Sequence, residues 1–189
     1  MHLLLRMTVA LALAAPCAAR AQTPAIGNVL SAVTLPFNGD GAMDRAVLVN
    51  NEEGADLYLF LAGDAAPTPA GPGLALVKKN FVWSGGMWGS LPSLSTNGKS
   101  SLIVNSENMA VGRNKWRQAL TVARRNGEFV VIGVTYTAFD TLDPKAGGVC
   151  DINLATGKGT RNGKPVTLAP AAIKVADWSE DNLPKACQF

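Results

Sequence analysis

The sequence is almost without histidine, since His2 at the start of the chain is its single example. Removal of an N-terminal leader during export would remove this residue and leave a mature protein without histidine. Such a protein has no Ser-His-Asp or Cys-His catalytic group and no histidine-ligated metal site. The composition therefore favours a binding or structural role, or catalysis by carboxylates.

Long hydrophobic runs are scarce as well, and the clearest one follows Arg6 at residues 7–15. This run is too short to span a bilayer, and Ala19-Arg20-Ala21 supplies the small residues that signal peptidase requires. We therefore predict a signal peptide over residues 1–21 and a mature domain over residues 22–189, located in the periplasm or secreted. Cys17 follows Pro16, which fits an acylated lipoprotein signal poorly.

The chain also lacks a large net charge. The full chain carries a net charge of +3, and loss of Arg6 and Arg20 with the leader reduces the balance to 15 basic against 14 acidic residues. A nearly neutral protein has no general electrostatic attraction to nucleic acid or to acidic lipid surfaces. We therefore expect no nucleic-acid partner. The short apolar run at residues 7–15 also predicts that the chain has no membrane span.

Cysteine is rare, and Cys150 and Cys187 are the two that remain after residue 21. Two cysteines in an exported chain most simply form one disulfide. The chain-entropy model gives such a cross-link, closing a loop of about 38 residues, a stabilisation of roughly 4 kcal/mol. A free redox pair or a nucleophilic cysteine is the alternative, although no Cys-x-x-Cys spacing supports redox work.

The central pattern of the chain is a hairpin over residues 115–137. Asn126-Gly127 is a two-residue turn signal between two stretches rich in β-branched and apolar residues. The register of such a turn places Val122 opposite Val131 and Arg117 opposite Tyr136. Both faces carry apolar residues, which predicts a central place in a sheet, while a helix over residues 115–125 is the alternative.

Asn-Gly turn signals also occur at residues 97–98, between strand-like residues 92–95 and 101–105, and at residues 162–163, within residues 158–168. Residues 45–49 and 56–62 are a further pair of strand-like segments, joined across residues 50–55. Turn signals at short, regular spacing are typical of all-β domains. We predict a single, mostly antiparallel all-β domain with one disulfide, arranged as a sandwich or as partial-propeller-like sheets.

Residues 38–44 resemble a calcium-binding loop, in which oxygens at alternate positions surround one cation. The candidate ligands are the side chains of Asn38, Asp40 and Asp44 and the backbone carbonyl of Ala42. The first ligand position falls on Pro36, so we expect at most weak Ca²⁺ binding and no other cofactor. A structural turn is the alternative.

The sequence Asn-Gly-Asp-Gly-x-x-Asp followed by Arg-Ala-Val-Leu-Val resembles the FG-GAP or VCBS type of repeat found in many exported bacterial proteins. The resemblance covers residues 34–62, which is one repeat. It implies a calcium loop and a fold used for binding rather than catalysis. The rest of the chain is similar to uncharacterised periplasmic proteins.

A basic and aromatic group of residues predicts a ligand surface for an anion or a glycan. Its members are Arg113, Arg117 and Tyr136 near the base of the hairpin, and Trp88 in a glycine-rich turn. We expect Arg117 to stack on Tyr136 as a cation–π pair. A solvated hairpin end and an aromatic residue packed in the core are the alternatives.

Three carboxylates, Asp140, Asp143 and Asp151, are the candidates for a glycoside-hydrolase pair, although turn chemistry around Pro144 also explains two of them. The sequence as a whole predicts an exported, non-catalytic binding or structural module. Its expected partner is an envelope protein or a glycan. An envelope-polymer hydrolase and a protein inhibitor or interaction module are the alternatives.

Overall fold

The computed structural model describes residues 26–63, 73–85, 89–143 and 145–189. The predicted signal peptide and Trp88 lie outside these residues. The described chain is all-β, with antiparallel strands and no α-helix, which confirms the predicted fold class. Within these ranges no helix is long and apolar enough to cross a membrane.

Four strands in chain order form the first sheet. They are β1 (Val29–Leu35), β2 (Asp44–Asn50), β3 (Ala55–Phe60) and β4 (Leu74–Val82), and each is antiparallel to the next. Leu48 of β2 lies opposite Leu57 of β3, and both side chains are fully buried. β3 is buried at every position except Phe60, so both of its faces are covered.

The second sheet has a similar meander topology and eight strands. In chain order they are β5 (Ser93–Thr96), β6 (Leu102–Asn108), β7 (Asn114–Arg125), β8 (Glu128–Asp140), β9 (Gly147–Asn153), β10 (Lys158–Arg161), β11 (Lys164–Thr167) and β12 (Ile173–Lys174). The first seven pair in sequence order, and β12 returns to pair with β8. Three 3-10 turns follow, at Val175–Asp177, Glu180–Asn182 and Lys185–Cys187.

The two sheets share one hydrophobic core. Leu48 and Leu57 of the first sheet belong to the same buried cluster as Leu120, Val131 and Ile152 of the second. Burial of each such side chain contributes about 1.5–3 kcal/mol of transfer free energy. This shared core is the arrangement of a sandwich, the first of the two predicted architectures.

The central hairpin forms as the sequence predicts, and the helical alternative is wrong. Asn126 and Gly127 have φ values of 51° and 83°, which is the left-handed region that a two-residue turn requires. Asn162 and Gly163 adopt the same conformation between β10 and β11. The pair at residues 97–98 instead lies within a longer loop between Thr96 and Leu102.

The predicted register of this hairpin holds only near its turn. Val122 lies opposite Val131, but Thr121 lies opposite Gly133, so β8 contains one extra residue at Ile132. This β-bulge shifts all later pairs by one position. The predicted Arg117–Tyr136 pair is therefore wrong: Arg117 lies opposite Thr137, and its side chain is on the other face from Tyr136.

The predicted disulfide is confirmed. Cys150 on β9 and Cys187 in the last 3-10 turn are bonded, and both are fully buried. The bond holds the C-terminal residues against β9 of the second sheet. These residues form one wall of a cleft.

Candidate functional site

A cleft of about 330 Å³ lies at the end of the β7–β8 hairpin that is far from the Asn-Gly turn. The strands form its floor and the C-terminal residues form its opposite wall. Its lining includes Asn114, Trp116, Tyr136, Asp140, Leu183, Gln188 and Phe189. We call this feature the aromatic cleft.

Two aromatic rings form the floor of the aromatic cleft. Trp116 and Tyr136 are nearly parallel, with an interplanar angle of 16° and ring centroids 6.1 Å apart. The bulge at Ile132 places them on the same face, because it pairs Tyr136 with Gln118 and Trp116 with Ala138. Trp83 supports Trp116 from the side, edge to face, at 5.7 Å. Both floor residues keep part of their surface exposed.

The polar end of the aromatic cleft is formed by Asp140, directly opposite Asn114 in the strand ladder. Arg113 donates from Nε to Asp140 Oδ2 at 2.6 Å. The backbone N–H groups of Leu142 and Asp143 donate to Asp140 Oδ1 at 2.8 and 3.3 Å. The Arg113 hydrogen bond, followed by that of Leu142, lowers the pKa of Asp140, so this carboxylate stays ionised in mildly acidic solution.

The C-terminal wall of the aromatic cleft is held by Arg161 as well as by the disulfide. The Arg161 guanidinium donates to the carbonyl oxygens of Ala186 and Gln188, the latter at 3.1 Å, and lies 4.2 Å from the centre of the Phe189 ring. Gly148 on β9 makes room for that ring, because a Cβ atom there would lie 2.4 Å from Phe189 Cε1. The wall is thus attached at several points.

Tyr136 is half-buried below this wall. Burial is the main cause of its raised pKa, and the negative charge of Glu180 adds to the shift. The phenol is therefore neutral at physiological pH and offers a hydroxyl group that both donates and accepts hydrogen bonds.

The structure divides the predicted ligand surface. Tyr136 lines the aromatic cleft, and Arg113 is bonded to the lining residue Asp140 without lining the cleft itself. Arg117 lies on the outer face of the sheet and donates to Glu107 Oε2 at 2.9 Å. Trp88 lies outside the described residues. Sequence reasoning missed Trp116 and Phe189 as lining residues. The disulfide was the available signal for Phe189, because it brings residues beside Cys187 to β9.

The calcium-like loop is held by hydrogen bonds within the loop and to residues outside it. Asp44 is fully buried, and its two carboxylate oxygens accept the backbone N–H groups of Phe37 and Ala62, each at 2.8 Å. Asp40 accepts the backbone N–H of Ala42 at 2.9 Å, and Arg124 donates to Asn38 Oδ1. These contacts favour the structural turn, while Ca²⁺ binding stays a prediction.

No group of three or more acidic, cysteine or histidine residues is arranged for a metal ion in the described part of the chain. Two of the three candidate carboxylates for hydrolysis lie on opposite faces of the sheet. Asp140 lies on the face of Tyr136, while Asp151 lies opposite Thr135 on the outer face. Asp143 accepts the backbone N–H of Lys145 at 3.0 Å within a turn. Asp140 and Asp151 therefore do not form a pair across one cleft.

No protein-family model, curated protein or solved structure matches this chain.

Proposed function

We propose that this protein is an exported, non-catalytic binding module that holds a glycan of the cell envelope in the aromatic cleft. The observation that carries the proposal is the part-exposed pair Trp116 and Tyr136 at the base of a concave site. The export pattern of residues 1–21 and the buried disulfide support a role outside the cytoplasm.

The chemistry of the aromatic cleft suits a sugar ring. A pyranose has faces of C–H groups that pack on aromatic rings, and its edges carry hydroxyl groups that need hydrogen-bond partners. Trp116 and Tyr136 offer the ring surface, and Asn114, Asp140 and Gln188 offer polar groups nearby. Binding sites commonly combine such an apolar surface with a few placed polar groups.

The lowered pKa of Asp140 argues for binding rather than hydrolysis. A glycosidase needs one carboxylic acid whose pKa is raised so that it can protonate the leaving oxygen. Asp140 is shifted in the opposite direction by Arg113. It is therefore suited to accepting hydrogen bonds and not to donating a proton.

Replacing Trp116 with alanine is the direct test. We expect Trp116→Ala to weaken glycan binding by about thirtyfold, because loss of a stacking surface of this size costs about 2 kcal/mol. An array of envelope and plant oligosaccharides is first screened with the unmodified protein to select a ligand. Isothermal titration with that ligand then measures the change in dissociation constant between the unmodified protein and the variant.

The matched control is Arg117→Ala, which removes a large side chain from the outer face of the same strand pair. It should leave the affinity unchanged, and thermal melting should show both variants folded. Equal affinities for the unmodified protein and Trp116→Ala would contradict the proposed site. Release of new reducing ends from the bound glycan would contradict the non-catalytic role.

A further inference from the structure

We infer that a recess at the turn end of the β7–β8 hairpin binds a phosphate group, with Arg124 and Arg125 as the residues that hold it. This second site goes beyond the proposed glycan binding, because it lies at the other end of the hairpin from the aromatic cleft. Asn114 begins β7 beside the cleft and Arg125 ends the strand, so the two sites lie roughly 35 Å apart along it.

Three segments of the chain converge on this recess, which has a volume of about 460 Å³. They are the loop after β1, the loop between β5 and β6, and the turn of the β7–β8 hairpin. Its lining includes Asn38, Asp40, Ser100, Arg124 and Arg125. We call this feature the basic recess. Its charged side chains surround a concave site that is large enough for a small anion.

Arg124 is half-buried and has no acidic partner among the described residues. Its Nη1 donates to Asn38 Oδ1, and its Nε donates to the carbonyl oxygen of Gly127 at 3.4 Å. Both acceptors are neutral, so they leave the positive charge uncompensated. Withdrawing a charge from water without an opposite charge is unfavourable, and a bound anion would reduce this cost.

Arg125 adds a second cation to the basic recess. Its Nη1 donates to the carbonyl oxygen of Arg124 at 3.3 Å, and in the part of the chain that the structure describes it joins no ion pair. A guanidinium has more N–H groups than these bonds use. Both arginines therefore keep donors for a ligand, and the hydroxyl group of Ser100 can supply another.

Acidic residues offset only part of this positive charge. Asp40 also lines the basic recess, but its carboxylate accepts the backbone N–H of Ala42 at 2.9 Å and forms no ion pair with either arginine of the recess. Glu128, just after the turn, is paired with Lys174 at 2.7 Å. Lys99, in the loop between β5 and β6, is exposed and adds a further cation. The excess of positive charge favours an anion.

The shape of the arginine side chain favours phosphate among anions. A guanidinium binds phosphate oxygens through two parallel N–H···O bonds, and neighbouring arginines can hold different oxygens of one phosphate. Calcium fits the same groups less well. The Asn38 oxygen that would coordinate it already accepts from Arg124, and both oxygens of Asp44 accept backbone N–H groups.

A heteronuclear NMR titration with inorganic phosphate, at constant ionic strength, tests the inference. We expect saturable shifts of the backbone signals of Ser100, Arg125 and Gly127, with a dissociation constant of about 1 mM or below. The signals of Trp116 and Tyr136 should stay in place. A parallel titration with glucose 6-phosphate identifies the source of the phosphate group. Tighter binding than that of inorganic phosphate would indicate a phosphorylated sugar, weaker binding would indicate the free ion, and either order supports the site.

Two substitutions should change the phosphate affinity in opposite directions. Arg125→Gln should weaken binding about tenfold, because it removes charged N–H donors from the basic recess. Asp40→Asn should tighten binding severalfold, because it removes a negative charge from the same lining. General damage to the fold does not produce opposite effects. The matched control is Arg113→Gln, which removes the same charge at the far end of the hairpin and should leave phosphate binding unchanged.

Absence of shifts with both probes would overturn the inference, as would shifts confined to residues outside the basic recess or an unchanged affinity in Arg125→Gln. Arg124→Gln should also weaken binding. Because Arg124 holds Asn38 as well, thermal melting accompanies this variant, and Arg125→Gln decides the outcome if it unfolds. Trp116→Ala should bind phosphate as the unmodified protein does, so the phosphate site and the glycan site can fail separately.

Discussion

Replacing Cys150 and Cys187 together with alanine will lower the free energy of unfolding by roughly 4 kcal/mol, according to the loop-entropy model. The two residues are 37 apart in sequence, and their bond restricts the unfolded chain far more than the folded one. A loss of this size is a large fraction of the 5–15 kcal/mol that typically stabilises a domain. Urea denaturation of the oxidised and substituted proteins measures the difference.

Reduction of the unmodified protein should reproduce the loss, while the double variant should be insensitive to reductant. Glycan binding should weaken in both cases, because the bond fixes the wall that contains Gln188 and Phe189. Coincident urea transitions for the oxidised protein and the double variant would contradict the prediction.

Asp44→Asn will lower the free energy of unfolding by about 3 kcal/mol even in the presence of a chelator, since hydrogen bonds to a charged group contribute about 1.5–3 kcal/mol each. Both oxygens of this buried carboxylate accept backbone N–H groups, from Phe37 and Ala62. An amide presents N–H groups to one of these donors and leaves it without an acceptor. Thermal and urea denaturation in chelator measure the loss.

Asp40→Asn is the matched control, because Asp40 is exposed and an amide oxygen can still accept the N–H of Ala42. It should change stability by less than about 0.5 kcal/mol, as surface substitutions usually do. A calcium site would give a different result. Millimolar Ca²⁺ would then raise the melting temperature of the unmodified protein, and both substitutions would abolish that rise while costing little in chelator.

The local part of the fold was predictable from sequence because its causes are local. Positive φ at Asn126 and Gly127 determines a hairpin, and alternating apolar residues on either side determine its strands. The disulfide followed equally directly, because Cys150 and Cys187 are the two cysteines that lie beyond the predicted signal peptide.

The aromatic cleft was not predictable because its parts come together only through tertiary contacts. The bulge at Ile132 determines which face of the sheet Tyr136 occupies. The one sequence feature beside this bulge is Gly133, where a Cβ atom would lie 3.3 Å from Thr121 Oγ1. The wall containing Phe189 depends on Arg161 and on Cys150, far away in sequence. Pattern and propensity carry no information about such distant pairs.

The order of the strands has a consequence for how the chain folds. Apart from β8 with β12, every strand pair in the two sheets joins neighbours along the sequence. Such pairs close short loops, so we expect the two meanders to form early as successive hairpins. The aromatic cleft needs Trp83, the far end of the β7–β8 hairpin and the C-terminal turn at once. We therefore expect the aromatic cleft to form last. Before that step, both sheets should be complete while the protein does not yet bind its ligand.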